Sequence, residues 1–303
     1  MRPRPLADVR LVQLPVRGKA AHWSYGTGVV GVPGTSSVLL TPPSAASSAP
    51  WALVDLLSLD AVMGAGMPGP LRGAVFPSGQ SWWVAGLYGV GRLDPSTATV
   101  GDVRREGLVR YPNRLLAVGV HVVLGSDLTP NVSVVSDDPV SRMRLAKADC
   151  SFGLDSGLVR VFAPRTGKAY DVDPGTRKVK RRHVLRTGRG GRLVRDHFVY
   201  LASPEIGPTY VSRLDARTLE DASWSTGLVP APTGAVEVLG SDATGGVVIS
   251  TKDGFVVLDE DGREVDRHEE PSGIVGAGMV DGHSAVALAT LREPLGTVAV
   301  VSW

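Results

Sequence analysis

The sequence predicts an all-β chain folded as one seven-bladed β-propeller with four-stranded antiparallel blades, and three observations predict it. Gly (37) and Pro (22) are abundant among 303 residues, and no helix-length stretch carries 3.6-residue apolar periodicity. Many short strands joined by turns read this way. A hairpin-turn motif recurs at intervals close to the 40 to 45 residues of a propeller blade. Finally, the chain starts on a strand, VRLVQLP at Val9 to Pro15, that has no blade of its own, and its last unit stops one strand short at Trp303.

The turn motif is clearest in RLDPSTATV (Arg92 to Val100), DVDPGTRKV (Asp171 to Val179), RLDARTLED (Arg213 to Asp221) and VLDEDGREV (Val257 to Val265). Asp94, Asp173, Asp215 and Asp259 each follow an apolar or alternating run, and Thr97, Thr176, Thr218 or Gly262 comes three residues later. An Asp at that place accepts backbone N–H bonds from the turn it opens, so these acids are turn devices rather than catalytic carboxylates. Successive intervals are 79, 42 and 44 residues, which leaves one copy missing. SVVSDDPVSRM supplies it, with Asp137 lying 43 after Asp94 and 36 before Asp173. WALVDLLSLD places Asp55 39 residues before Asp94, and GTVAVVSW ends the series, so seven units fit residues 1–303 as one domain.

QSWWVAGL, VHVVLGS, LVRVFAP, HFVYLAS, GVVISTK and HSAVALATL read as second strands, and the Gly-rich LLAVGV, AVEVLG and GIVGAGM as innermost strands. Small residues there permit close backbone approach. The strand at about 9–15 is expected to close the last blade, which brings the termini together and removes an open sheet edge. TPPSAASSAPW, with its Pro/Ser-rich part at about 41–50, reads as a protruding loop within the first unit. On this turn series the chain resembles the quinoprotein-like and WD-repeat-like propeller superfamily. The tryptophan-docking signature of quinoprotein repeats and the Gly-His and Trp-Asp pairs of WD repeats are absent, so no quinone, or any other cofactor, is carried over.

A lone Cys150 excludes an internal disulfide framework, and the basic N-terminus lacks the apolar segment of a signal peptide. No run of about 18 apolar residues is present to span a bilayer. A cytoplasmic protein with no membrane association is the expectation.

Against a net charge of only +2, TRKVKRRHVLRTGRGGRLVR gathers Arg177, Lys178, Lys180, Arg181, Arg182, Arg186, Arg189, Arg192 and Arg195 without one acid. It follows the DVDPGT turn, so it is expected on an outermost strand and the loop beyond. There Lys and Arg protect the edge from pairing, or form a patch for an acidic protein or anionic ligand. Nucleic acid is a weaker partner, because no aromatic is interleaved for base stacking. The loops between second and third strands contribute Asp127, Arg165, Glu205, Lys252, Asp253, Arg292 and Glu293, a second place to look for a binding ring.

His121, His197 and His283 recur at equivalent positions where second strands begin, and repetition assigns them structural hydrogen bonds rather than metal ligation. His268, Glu269 and Glu270 are the candidate acid/base or metal cluster, since neighbouring carboxylates raise an imidazole pKa or share a cation; a polar loop is the plainer reading. In Trp82-Trp83 the two rings point to opposite faces of a strand, one for packing between blades. No P-loop, GxSxG elbow, HExxH or EF-hand loop occurs. The leading function is therefore a non-catalytic binding or scaffolding propeller, monomeric or part of a larger complex. The alternative is a propeller enzyme, a lyase, hydrolase or cyclase, with its pocket at the mouth of a central channel.

Overall fold

The structure, a computed structural model, describes residues 4–5, 8–14, 28–41, 51–64, 71–78, 81–86, 89–104, 114–118, 121–125, 131–135, 141–145, 148–184, 186–203, 207–222, 224–225, 227–291 and 296–303. Among them every regular element is a strand, apart from one 3-10 turn at Pro164–Thr166. The chain divides into two compact units, residues 1–104 with 239–303, and residues 105–238.

The first unit opens with β1 (Arg4–Pro5) and β2 (Asp8–Gln13). One sheet follows from β3 (Gly28–Gly31), β4 (Ser37–Thr41), β5 (Ala52–Asp55) and β6 (Ala61–Met63), and another from β7 (Leu71–Ser78), β8 (Ser81–Gly86), β9 (Gly89–Asp94) and β10 (Thr99–Arg104). The second unit contains β11 (Arg114–Val118), β12 (His121–Gly125), β13 (Asn131–Val135) and β14 (Ser141–Arg144) in one sheet. Next come β15 (Cys150–Gly153), β16 (Val159–Ala163), β17 (Lys168–Val172) and β18 (Val179–His183), then β19 (Gly188–Val194), β20 (His197–Ala202), β21 (Tyr210–Asp215) and β22 (Val229–Pro230). The remaining strands are β23 (Ala235–Ser241), β24 (Val247–Thr251), β25 (Gly254–Leu258) and β26 (Glu264–Glu269) in one sheet, and β27 (Ile274–Met279), β28 (Ala285–Thr290) and β29 (Thr297–Ser302) in another. Strands successive in sequence are neighbours in space, the meander of a propeller blade.

Six sheets are four-stranded and antiparallel, whereas the sheet of β23 to β26 has five strands, because β1 lies beside β26 in parallel, Arg4 opposite Asp266 and Pro5 opposite Arg267. The expectation of seven four-stranded antiparallel blades is corrected accordingly: six blades have that form. The period in the sequence counts hairpins between third and fourth strands, and β1 joins its sheet without a hairpin, so the turn series does not register it. β2 pairs antiparallel with β29 from Asp8↔Ser302 to Gln13↔Thr297 and completes the sheet of β27 to β29.

The core lies between successive sheets rather than within any one. Val29, Val38, Leu40, Val54, Ala287, Val298 and Val300 form one such layer, and Leu239, Val248, Phe255, Val257, Val286, Leu288 and Val301 another. In the second unit Phe162, Phe198 and Tyr200 pack together, with the two Phe rings stacked at 4.7 Å. Strands buried on both faces read as continuous apolar runs, as AVALAT of β28 does. Close approach demands glycine at Gly31 and Gly278, where a Cβ would overlap the carbonyl oxygens of Met279 and Val29 respectively.

The repeated acids do what their spacing predicts. Asp55 Oδ1 accepts the N–H of Leu57 and Ser58 (both 2.8 Å), Asp215 Oδ1 those of Arg217 (2.8 Å) and Thr218 (2.7 Å), and Asp259 Oδ1 those of Asp261 (2.9 Å) and Arg263 (2.8 Å). In four copies the residue four places after the Asp, namely Leu59, Ala98, Arg177 or Leu219, adopts positive φ (51 to 66°). Left-handed backbone costs a non-Gly residue about 1–2 kcal/mol, and the carboxylate bonds offset it. Asp137 and the loop at 42–50 lie outside the described residues.

Candidate functional site

β18 is the outermost strand of its sheet, and it pairs with β17 without a break from Val172↔Val179 to Lys168↔His183. Asp173 shapes the turn that leads into it: Oδ1 accepts the N–H of Gly175 (2.9 Å) and Thr176 (3.0 Å), and Oδ2 the Thr176 hydroxyl (2.6 Å). That hydroxyl bond, with the backbone bonds, holds the Asp173 carboxyl below the usual carboxylate range. Lys180 and Arg181 are exposed, and among the described residues neither has an ion pair. Arg182 is half-buried, with its Nε 3.0 Å from Asp171 Oδ2.

Arg177 and Lys178 are exposed in the turn that leads into β18, whereas Arg186, Arg189 and Arg192 do not join this edge. Arg186 follows the strand, 3.5 Å from Asp221 Oδ2 and 3.3 Å from the Ser212 hydroxyl. Arg189 and Arg192 lie on β19, the innermost strand of the following sheet, and donate to the carbonyls of Ala235 (3.5 Å) and Val238 (3.4 Å). The expected loop beyond β18 is thus replaced, over Gly188–Val194, by an inner strand. Gly188 permits this, since a Cβ there would overlap the Leu201 carbonyl oxygen.

Behind β18 stands a pair that sequence reading missed. Arg160 on β16 and Asp171 on β17 are each 4% exposed and meet at 2.6 Å (Nε–Oδ1) and 3.0 Å (Nη2–Oδ2). Nη1 of Arg160 also donates to the carbonyls of Ala216 (3.1 Å) and Arg217, in the turn after β21, tying two sheets together. Burial pushes the Asp171 carboxyl up, but hydrogen bonds and charge from Arg160 and Arg182 outweigh it, so its pKa lies below 3.8. A folded pKa below the unfolded value gives stability that is complete above about pH 5 and drains away as pH falls through the folded value. Asp171→Asn is expected to flatten the acid limb of a plot of urea midpoint against pH between about pH 5 and 2. An acid limb as steep as the wild type's would show that Asp171 is not held ionised by folding. The available signal was an Arg inside the apolar run LVRVFAP, opposite an Asp two residues before the turn acid.

His268 and Glu270 do come together, with Nε2–Oε2 at 3.9 Å and side chains 12% and 0% exposed, while Glu269 points outward at 69%. Glu270 Oε1 accepts the hydroxyl (2.6 Å) and N–H (3.3 Å) of Ser272, and the His268 ring lies 5.7 Å from that of Phe255. Through Ser272 this enclosed carboxylate braces the turn after β26.

Arg165 is exposed in the turn between β16 and β17, and Lys252 and Asp253 are exposed between β24 and β25. Asp127, Glu205, Arg292 and Glu293 lie outside the described residues. His197 is held below its usual pKa by burial and by Arg213, and no group of three metal-ligating side chains occurs among the described residues. Burial drives the Tyr200 hydroxyl up to about 12. Trp83 is buried at 6% exposure beneath Arg92, whose guanidinium sits 5.2 Å over the ring, while the half-buried Trp82 donates to the Pro33 carbonyl at 2.8 Å. Trp82 also lines a shallow cleft of about 360 Å³ with Arg92, Leu93, Asp94, Pro95, Thr99 and Gly101. Among the described residues no helix is long and apolar enough to cross a membrane.

No family model and no curated protein matches the chain. Solved structures do. The Pan2 WD40 domain of Neurospora crassa is similar at TM-score 0.69 and 12% identity, over 99% of this chain and 97% of that one. Virginiamycin B lyase from Staphylococcus aureus is similar at TM-score 0.65 and 11% identity, over 98% and 99%. The RRP9 WD40 repeats are similar at TM-score 0.65 and 11% identity, over 99% of both chains. At such identities the likeness establishes the fold and no more: the chain has a β-propeller fold.

Proposed function

We propose that this chain is a non-catalytic binding propeller that docks an acidic protein partner at the edge of the sheet formed by β15 to β18, as a monomer or as part of a larger complex. One observation carries the reading: Lys180 and Arg181 stand exposed on a regularly paired outer strand, while Arg182 and Arg186 beside them are engaged by Asp171 and Asp221. Lys180 stands opposite Asp171 in the register, but that carboxylate is already bound by Arg160 and Arg182, so exposed cations on a rigid strand give a local field that steers an anionic partner, with affinity falling as salt rises. Likeness to the WD40 domains of Pan2 and RRP9 supports a scaffold role only through the shared fold. The test compares wild type with Lys180→Glu/Arg181→Glu in capture of partners from native lysate. The variant is expected to keep its melting temperature, because both side chains are at the surface, and to lose at least tenfold of the captured protein. Equal capture by the variant would overturn the reading.

A propeller enzyme is the second reading, favoured by the approach of His268 to Glu270 and by the occurrence of a lyase, virginiamycin B lyase, on a similar fold. The complete burial of the Glu270 side chain weighs against it.

A further inference from the structure

We infer that the acidic partner binds at β18 as an extended segment added to the sheet as its next strand; this rests on the docking just proposed and specifies its mode. The backbone supplies the first half of the case. Asp173 N–H donates to the Lys178 carbonyl (2.9 Å) and Val184 N–H to the Gly167 carbonyl (3.1 Å). In an antiparallel pair, residues alternate between bonding the partner strand and facing away from it. Lys180 and Arg182 therefore bond β17, and the N–H and C=O groups of Val179, Arg181 and His183 face outward. Among the described residues no strand lies beyond β18.

Three other outer strands are blunted in ways that β18 is not, whereas β14 and β2 keep four and six unbroken pairs with their neighbours. β10 has a register break between Gly101 and Arg104, β22 is two residues long and ends on Pro230, and β6 has three residues. Such devices keep an edge from recruiting another chain. β18 keeps five unbroken pairs and carries charge alone, and positive charge repels most strands but selects an acidic one. The chain itself shows the same kind of pairing elsewhere: the edge of β26, bearing Glu264, Asp266 and Glu269, accepts β1 from the basic N-terminal segment, with Arg4 at the register position opposite Asp266. At β18 the charges are reversed. Side chains of the added strand fall alternately toward Lys180 and Arg182 on one face and toward Arg181 and His183 on the other.

The test uses a fluorescein-labelled ten-residue Glu/Thr peptide, two versions of it N-methylated at alternate residues in the two possible phases, and inorganic polyphosphate. Fluorescence anisotropy is expected to show binding of the parent peptide, at least tenfold weaker binding to Lys180→Glu/Arg181→Glu, and at least tenfold weaker binding of one N-methylated phase only, since a strand pairs through one edge. Hydrogen exchange at the amides of Val179, Arg181 and His183 is expected to slow at least fivefold under saturating peptide. Strand addition is overturned, and charge-based docking kept, by equal binding of both N-methylated phases, by unchanged exchange at those amides, or by binding of polyphosphate alone. If wild type binds neither peptide nor polyphosphate, both readings fall.

Discussion

Arg160→Met is expected to lower the unfolding free energy by about 3–5 kcal/mol, the usual cost of stranding one member of a buried ion pair. Asp171 is 4% exposed, so water cannot replace the two bonds that Arg160 gives it. Arg182 remains as a partner at 3.0 Å, which places the loss toward the lower end of that range. The substitution also strips donors from the Ala216 and Arg217 carbonyls and so loosens the contact between two sheets. Arg160→Met/Asp171→Leu removes both charges at once and is expected to recover to within about 1–2 kcal/mol of wild type, because well-packed apolar residues often substitute for a buried pair. Urea titration at pH 7 reads both variants. A single mutant with a wild-type midpoint would show that the pair contributes nothing to stability.

Removing residues 1–13 is expected to have an effect of similar or greater size. The truncation deletes six paired residues of β2 and, with them, the cover over β29. Val12, 4% exposed, goes outright, and Leu14, 3% exposed, loses its anchorage. Burying two such side chains is worth about 3–6 kcal/mol, and Val298 and Val300 would gain exposure besides. At about 2–4 °C per kcal/mol for chains approaching this size, the melting temperature should fall by about 10–20 °C. A synthetic peptide spanning residues 6–15 added in trans should restore part of it. If the truncated protein melts with the wild type, closure by β2 contributes nothing.

The hairpins were legible because an Asp that must accept N–H bonds from its own turn leaves a local mark, and Asp55, Asp94, Asp173, Asp215 and Asp259 all stand where that mark places them. Closure by β2 was legible for a different reason, an unmatched strand at each end. β1 was not, since two residues added in parallel leave neither alternation nor a turn. The basic run was legible as charge, but not its division between β18 and β19: Arg189 and Arg192 are separated from an edge position only by how the backbone folds at Gly188. His268 and Glu270 were legible as neighbours, whereas the complete burial of the Glu270 side chain depends on how the turn holding Ser272 folds. Arg160 and Asp171 are eleven residues apart, and their meeting follows from a register set by the Pro164–Thr166 turn.

Gln13 and Thr297, hydrogen-bonded across the closing pair, are 284 residues apart in sequence. Synthesis at about 5–20 residues per second separates the emergence of β2 from that of its partner by roughly 15–60 s. Throughout that interval Val9, Leu11, Val12 and Leu14 form an apolar strand with nothing to pair with, long after neighbouring hairpins have had time to form in microseconds. Completion of the last sheet therefore has to follow translation of β29, and a chain stalled late in synthesis carries β2 without the strand that pairs with it.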